Sequence, residues 1–193
     1  DQGKTGGDQW RIYGGHRLWH APEVMPRTFF PDNSPVKYKW DGKMLKLMQE
    51  RESTTGISKE MEITMDPRRD QISILHRLVN HNLWEIDISV WAITALSAGG
   101  RAILPQEPYV DPDQNRLPSR PVVLWHYTEM NDPRWIWGNR YIQLQQDPLM
   151  RSEQKIGILN KQGWAAYILD ENILIKSVSF SPEAEYTDYG SNN

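Results

Sequence analysis

Ile57-Ser58-Lys59-Glu60-Met61-Glu62-Ile63-Thr64-Met65 alternates between apolar and polar side chains. Ile57, Met61, Ile63 and Met65 fall on one face; Ser58, Glu60, Glu62 and Thr64 fall on the other. A period of two residues is that of a strand with one face buried. Lys59 alone breaks the rule, near the start of the run. Asp66-Pro67 makes the next break, and Ile72 to Asn80 alternates again, with Ile72, Ile74, His76, Leu78 and Asn80 on one face. A histidine among aliphatics reads first as a core residue whose polar atoms have found partners.

The same signals extend in both directions. Upstream, Met44 to Arg51 reads as a strand, followed by the turn composition Ser53-Thr54-Thr55-Gly56. Downstream, Leu83 to Leu96 is the longest run. Trp84, Ile86, Ile88 and Val90 share one face of it, and Glu85, Asp87, Ser89 and Trp91 the other. That second row suits a sugar cleft or an ordinary solvated sheet face. After Gly99-Gly100 come a short strand, Ala102 to Leu104, and a long loop from Pro105 to Pro121 with five prolines. A structureless loop of that length is uncommon unless it is functional or disordered. Val122 to Tyr127 reads as a strand and Asn131 to Gly138 as an aromatic, Arg-bearing segment with one helical turn. Tyr141 to Gln145, Lys155 to Leu159, Trp164 to Leu169 and Ile173 to Phe180 form a meander. Nowhere do apolar residues recur at helical spacing over four turns. The class is all-β, with a sandwich as the expected architecture in a single domain.

Composition narrows the function. A net charge of −3 argues against a general binder of nucleic acid. No stretch approaches the ~20 apolar residues of a membrane helix. Without cysteine, disulfides and thiolate metal sites are excluded. Nine Trp and eight Tyr against three Phe favour aromatics with a polar tip, as a half-wet binding surface needs.

The chemistry concentrates in Tyr13-Gly14-Gly15-His16-Arg17-Leu18-Trp19-His20-Ala21-Pro22-Glu23. This reads as a loop between a short strand, Trp10 to Tyr13, and the proline-broken connection from Val24 to Val36. His16, His20 and Glu23 can move protons, Arg17 can pair with anions or hydroxyls, and Tyr13 and Trp19 can stack. The spacing His-x3-His-x2-Glu presents metal ligands on one face only in a helix, which Gly14-Gly15 and Pro22 oppose, so no metal or other cofactor is expected.

Gly14 to Glu23, followed by Pro31-Asp32-Asn33-Ser34-Pro35-Val36, resembles an uncharacterised bacterial family of the galactose-mutarotase-like superfamily. Trp91-Ala92-Ile93-Thr94 with Gly99-Gly100 and Leu104-Pro105, and the late element Tyr186, Asp188-Tyr189-Gly190, match more weakly. The resemblance implies a twisted antiparallel supersandwich that binds a sugar or oligosaccharide, without nucleic-acid or membrane partners. It implies aldose 1-epimerase-like chemistry, in which a His acts as acid and a Glu as base. His16 matches a sugar-contacting position, and His81, after Asn80, is similar to the acid, with His76 competing for that role. Arg17, Trp19, Glu23, Asn80, Trp125, Arg134, Lys176 and Asp188 are the expected substrate contacts. The base is expected after the Tyr-x-Asp-x-Gly element, so the 193 residues are expected to be an internal portion of a longer chain. A glycoside hydrolase or lyase using Glu85, Asp87 or Glu23, and a non-catalytic glycan-binding domain, are the alternatives.

Overall fold

The computed structural model describes residues 6–193, whose regular structure is almost entirely antiparallel strand. The polar, Gly-containing residues 1–9 read as loop from the sequence, and of these, residues 1–5 lie outside the described residues. The chain divides into two compact units, Asp1–Leu96 and Ser97–Asn193. Among the described residues no helix is long and apolar enough to cross a membrane.

The first unit holds β1 (Gly15–Ala21), β2 (Lys37–Trp40), β3 (Met44–Met48), β4 (Ile57–Asp66), β5 (Gln71–Asn80) and β6 (Ser89–Ala95). Strands β2 to β5 form a four-stranded meander in chain order, and β1 pairs with β6. The two alternating runs make its longest pair, in register from Ile57 opposite Asn80 to Asp66 opposite Gln71. Their turn closes through the Asp66 carboxylate, which accepts the Arg68 N–H at 3.0 Å. Asp70 takes φ +49°, a left-handed conformation that a short polar side chain tolerates.

Two expectations are corrected here. The motif from Gly14 to Glu23 is mainly strand: β1 runs through it, paired residue for residue with β6. Its side chains alternate, His16, Leu18 and His20 against Arg17, Trp19 and Ala21, and the Gly14-Gly15 and Pro22 signals merely bracket it. Gly15, at φ +90°, starts the strand where a Cβ would be strained. The run Leu83 to Leu96 is a strand only over its second half. The Asn80 amide donates to the Trp84 carbonyl at 2.8 Å and accepts the Asn82 N–H at 2.9 Å. That local turn holds the chain away from the sheet, and residues 85–88 join no ladder.

The second unit holds β7 (Arg101–Pro105), β8 (Val122–Leu124), β9 (Trp135–Trp137), β10 (Tyr141–Gln145), β11 (Ile156–Ile158), β12 (Trp164–Leu169) and β13 (Asn172–Ser177). Its main sheet has the order β13-β12-β7-β10-β9, and β11 pairs with β8. Trp135, Ile142 and Ile158 are its buried centre, with Leu104, Leu144 and Ile156 packed around them. The Asn131 to Gly138 segment thus contributes an edge strand that places Trp135 in the core. Asn160, 1 % exposed, builds the turn before β12: it accepts the Gly163 N–H at 3.1 Å and donates to the Trp164 carbonyl at 2.6 Å. A two-residue loop with Asp170 at φ +52° joins β12 to β13.

Candidate functional site

The strand period puts His16, Leu18 and His20 on one face of β1, and this face meets the four-stranded sheet. His16 Nε2 lies 2.7 Å from His76 Nε2 on β5, and His16 Nδ1 lies 2.9 Å from Thr94 Oγ1 on β6. Register explains both meetings. Thr94 stands opposite His16, and His76 stands opposite Met61 in the sheet that β1 crosses. At 2.7 Å one imidazole donates and the other accepts, so a single proton lies between the rings. Thr94 matches either tautomer, because a hydroxyl both gives and takes a hydrogen bond.

A cavity of about 110 Å³ opens beside this pair, lined by His16, Arg17, Asp32, Gln49, Lys59 and Met61 among others. Arg17 is held from three sides. Its guanidinium pairs with Asp32, donates to the Arg11 carbonyl at 2.8 Å and lies 4.9 Å from the centre of the Trp19 ring. The far side of β1 is aromatic: Trp19 packs at 5.5 Å from Trp10 and 5.6 Å from Trp91.

Beyond the cavity lies a buried charged cluster. Glu52 has no exposed side-chain area. Its Oε1 lies 2.6 Å from the Lys59 ammonium, and its Oε2 accepts the Thr55 hydroxyl at 2.5 Å and lies 3.7 Å from His20 Nε2. Burial pushes the Glu52 carboxyl up, but His20, Lys59 and Thr55 together outweigh it and hold the pKa below the ordinary value. Lys59 is therefore the break in the alternation explained: it points inward because Glu52 waits there. On the opposite face of β4, Lys46 bridges Glu60 at 2.7 Å and Glu62 at 3.3 Å, and Arg77 reaches both at 3.1 Å.

The other expected residues stand as follows. His81 bonds Ser58 Oγ at 2.8 Å, and Ser58 belongs to the face of β4 opposite Lys59. Asn80 is engaged in its turn, and Glu23 is exposed after β1. Trp19 is 5 % exposed, its ring faces taken up by neighbouring indoles and Arg17. In the second unit, the Trp125 ring carries the Lys155 ammonium at 4.0 Å. Arg134 makes a two-point pair with Asp132 at 2.9 and 2.8 Å and donates to the Ser152 carbonyl at 2.7 Å. The Asp132 carboxyl is lowered to about 2, chiefly by that Arg134 hydrogen bonding. Lys176 stands on β13 opposite Ala165, and the Asp188 carbonyl accepts the Ser191 hydroxyl at 2.9 Å. The structure thus brings His16 and Arg17 to one cavity with Asp32 and Lys59, sets His76 and Thr94 against His16, and pairs Glu52 with Lys59. At the level of sequence His76 already competes with His81 for the acid; of the other added residues, Lys59 carried a signal, a cation on an apolar row.

His16 and His20 are four residues apart on a strand, or ~13 Å, too far to share a metal ion. Among the described residues no group of three or more His, Cys, Asp or Glu is placed to hold one. Comparison of the chain with protein-family models, with curated proteins and with solved structures finds no match.

Proposed function

We propose that the first unit binds and processes a carbohydrate at the His16–His76 pair, by aldose 1-epimerase-like interconversion of anomers, within a galactose-mutarotase-like sandwich. One observation carries the reading: two imidazoles share a proton at 2.7 Å, and one of them, His16, lines a cavity together with Arg17 and Asp32. Opening an aldose ring needs a proton delivered to the ring oxygen and another taken from the anomeric hydroxyl; closing it reverses both. A histidine pair supplies one N–H and one lone pair at neutral pH, with no change in net charge. The contact with His16 favours His76 over His81 as the acid: the hydroxyl proton passes through the Thr94 hydroxyl to His16 Nδ1, the shared proton moves from His16 Nε2 to His76 Nε2, and the proton on His76 Nδ1 goes to the ring oxygen. Arg17 and Asp32 offer a donor and an acceptor to further hydroxyls. The cavity is smaller than the ~300–1,000 Å³ of typical ligand pockets, so it takes one edge of the sugar and leaves the rest outside.

Polarimetry of freshly dissolved α-glucose and α-galactose tests this. Positioned acid–base catalysis is worth ~10²–10⁴-fold, so wild type is expected to speed equilibration. His76→Gln is expected to lose that acceleration, and His81→Gln to keep it. Equilibration at the buffer rate for both sugars refutes the enzymatic reading. Loss in His81→Gln with retention in His76→Gln reverses the assignment.

A further inference from the structure

The segment between β7 and β8 adopts no strand, yet it is tied at its base and turned at its tip. Arg120 Nε donates to the Glu107 carbonyl at 2.8 Å across 13 positions, and Gln162 Nε2 donates to the Gln106 carbonyl at 2.5 Å. At the tip the Asp111 carbonyl accepts from the Gln114 N–H at 2.9 Å and the Asn115 N–H at 3.1 Å. The Asp111 carboxylate takes the Asp113 N–H at 2.9 Å. A loop whose ends meet and whose interior is braced is the kind that carries function. It forms one wall of an open hollow of about 380 Å³ lined by Tyr109, Val110, Asn115, Leu117, Ser119 and Arg120, with two prolines. That volume lies in the ordinary range for small-molecule sites.

Arg120 gives the cavity its chemistry. The residue is half-buried, and its Nε alone is engaged. Among the described residues no carboxylate stands within ion-pair distance of it; the nearby Asp113 pairs with Arg116 at 3.5 Å. The terminal nitrogens of Arg120 face no protein acceptor among the described residues, and the guanidinium fork matches a carboxylate in two-point geometry. Beside it, the Tyr109 ring is 77 % exposed and stacks on no other ring among the described residues. The Ser119 hydroxyl and the Asn115 amide nitrogen make no hydrogen bond among the described residues. A cation, an aromatic face and two small polar groups around one space match a ring that carries a carboxylate and hydroxyls.

We propose that this loop cavity binds an acidic sugar, its carboxylate on the Arg120 guanidinium and its ring against Tyr109. The site is separate from the histidine pair and does not depend on the reaction assigned there. Galacturonate, galactose and inorganic phosphate, each titrated into the full chain by calorimetry, form the test. Galacturonate is expected to bind, with galactose and phosphate each at least ~10-fold weaker, because a charge-assisted hydrogen bond is worth about that factor. Arg120→Gln is expected to weaken galacturonate at least ~10-fold. Tyr109→Ala, at an exposed position that leaves the loop's ties intact, is expected to weaken it several-fold. His16→Gln is expected to bind galacturonate as wild type does. The proposal is overturned by no galacturonate binding, by galactose or phosphate binding equally well, or by wild-type affinity in Arg120→Gln or in Tyr109→Ala. Loss of binding in His16→Gln overturns it too, by moving the acid sugar to the histidine pair.

Discussion

Replacing Lys59 with methionine strands a carboxylate in the interior of the first unit. Glu52 is fully buried and Lys59 is 5 % exposed, with 2.6 Å between their charges. At an effective dielectric of ~20 that separation is worth ~6 kcal/mol of gross attraction, offset by the cost of drying both groups. Lys59→Met removes the attraction and keeps the cost for Glu52. The expected loss is ~3–5 kcal/mol, a large share of the ~5–15 kcal/mol that holds a domain folded. Glu52→Gln with Lys59→Met removes both charges and is expected to recover most of the loss. Urea unfolding measures the totals, and hydrogen exchange of amides in β1 and β4 locates them. The Glu52 pKa is lower folded than unfolded, so its contribution is present above the ordinary value of 4.5 and is lost as pH falls through the folded pKa. Glu52→Gln is expected to lack that acid-side decline. A Lys59→Met loss under ~1 kcal/mol, or a double variant less stable than either single one, would refute this account of the cluster.

Three more outcomes follow from the second unit and the turns. The Asp132 carboxyl, lowered from 3.8 to about 2 by Arg134, contributes up to ~2 kcal/mol above pH 3.8 that disappears as pH falls toward 2. Acid titration of stability in wild type and Asp132→Asn should differ in that window and run parallel above it. Gly163→Ala sets a Cβ 2.2 Å from the Val178 carbonyl oxygen at φ +68°, and should cost more than ~1–2 kcal/mol in thermal or urea unfolding. Asp170→Gly relieves the left-handed strain at φ +52° in the β12–β13 loop but frees the unfolded chain, and should change stability by less than ~1 kcal/mol.

What could be read in the chain depended on whether the signal was local. The runs at 57–65 and 72–80 became β4 and β5 because alternation is a property of neighbours, and their turn lies between them. The Gly14 to Glu23 motif was misread as a loop because its polar residues resemble displayed groups. Its partner, β6, lies far along the chain, and only pairing shows that half of those groups point inward. His76 read as a core residue with satisfied nitrogens. Its neighbour was invisible, because His16 is 60 positions away. Asp32 and Glu52 sit in irregular segments where no period says which way a side chain turns. Residues 85–88 join no ladder and follow a turn in which the Asn80 amide takes the Trp84 carbonyl, a side-chain competition that hydrophobicity does not register.

The pairing of β1 with β6 also has a kinetic side. His16 and Thr94 are 78 positions apart, whereas β4 and β5 are joined by a tight turn. Closing the longer loop costs on the order of 2 kcal/mol more chain entropy than closing a hairpin, before any contact repays it. The meander β2 to β5 should therefore assemble early, and β1 should lock against β6 afterwards. His16, His76 and Thr94 come from β1, β5 and β6, so the histidine pair completes only at that last step. Pulse-labelled refolding should show amides of β4 and β5 protected before those of β1. A nascent or partly folded chain would then lack the histidine pair until β1 and β6, the first and last strands of the first unit, have met.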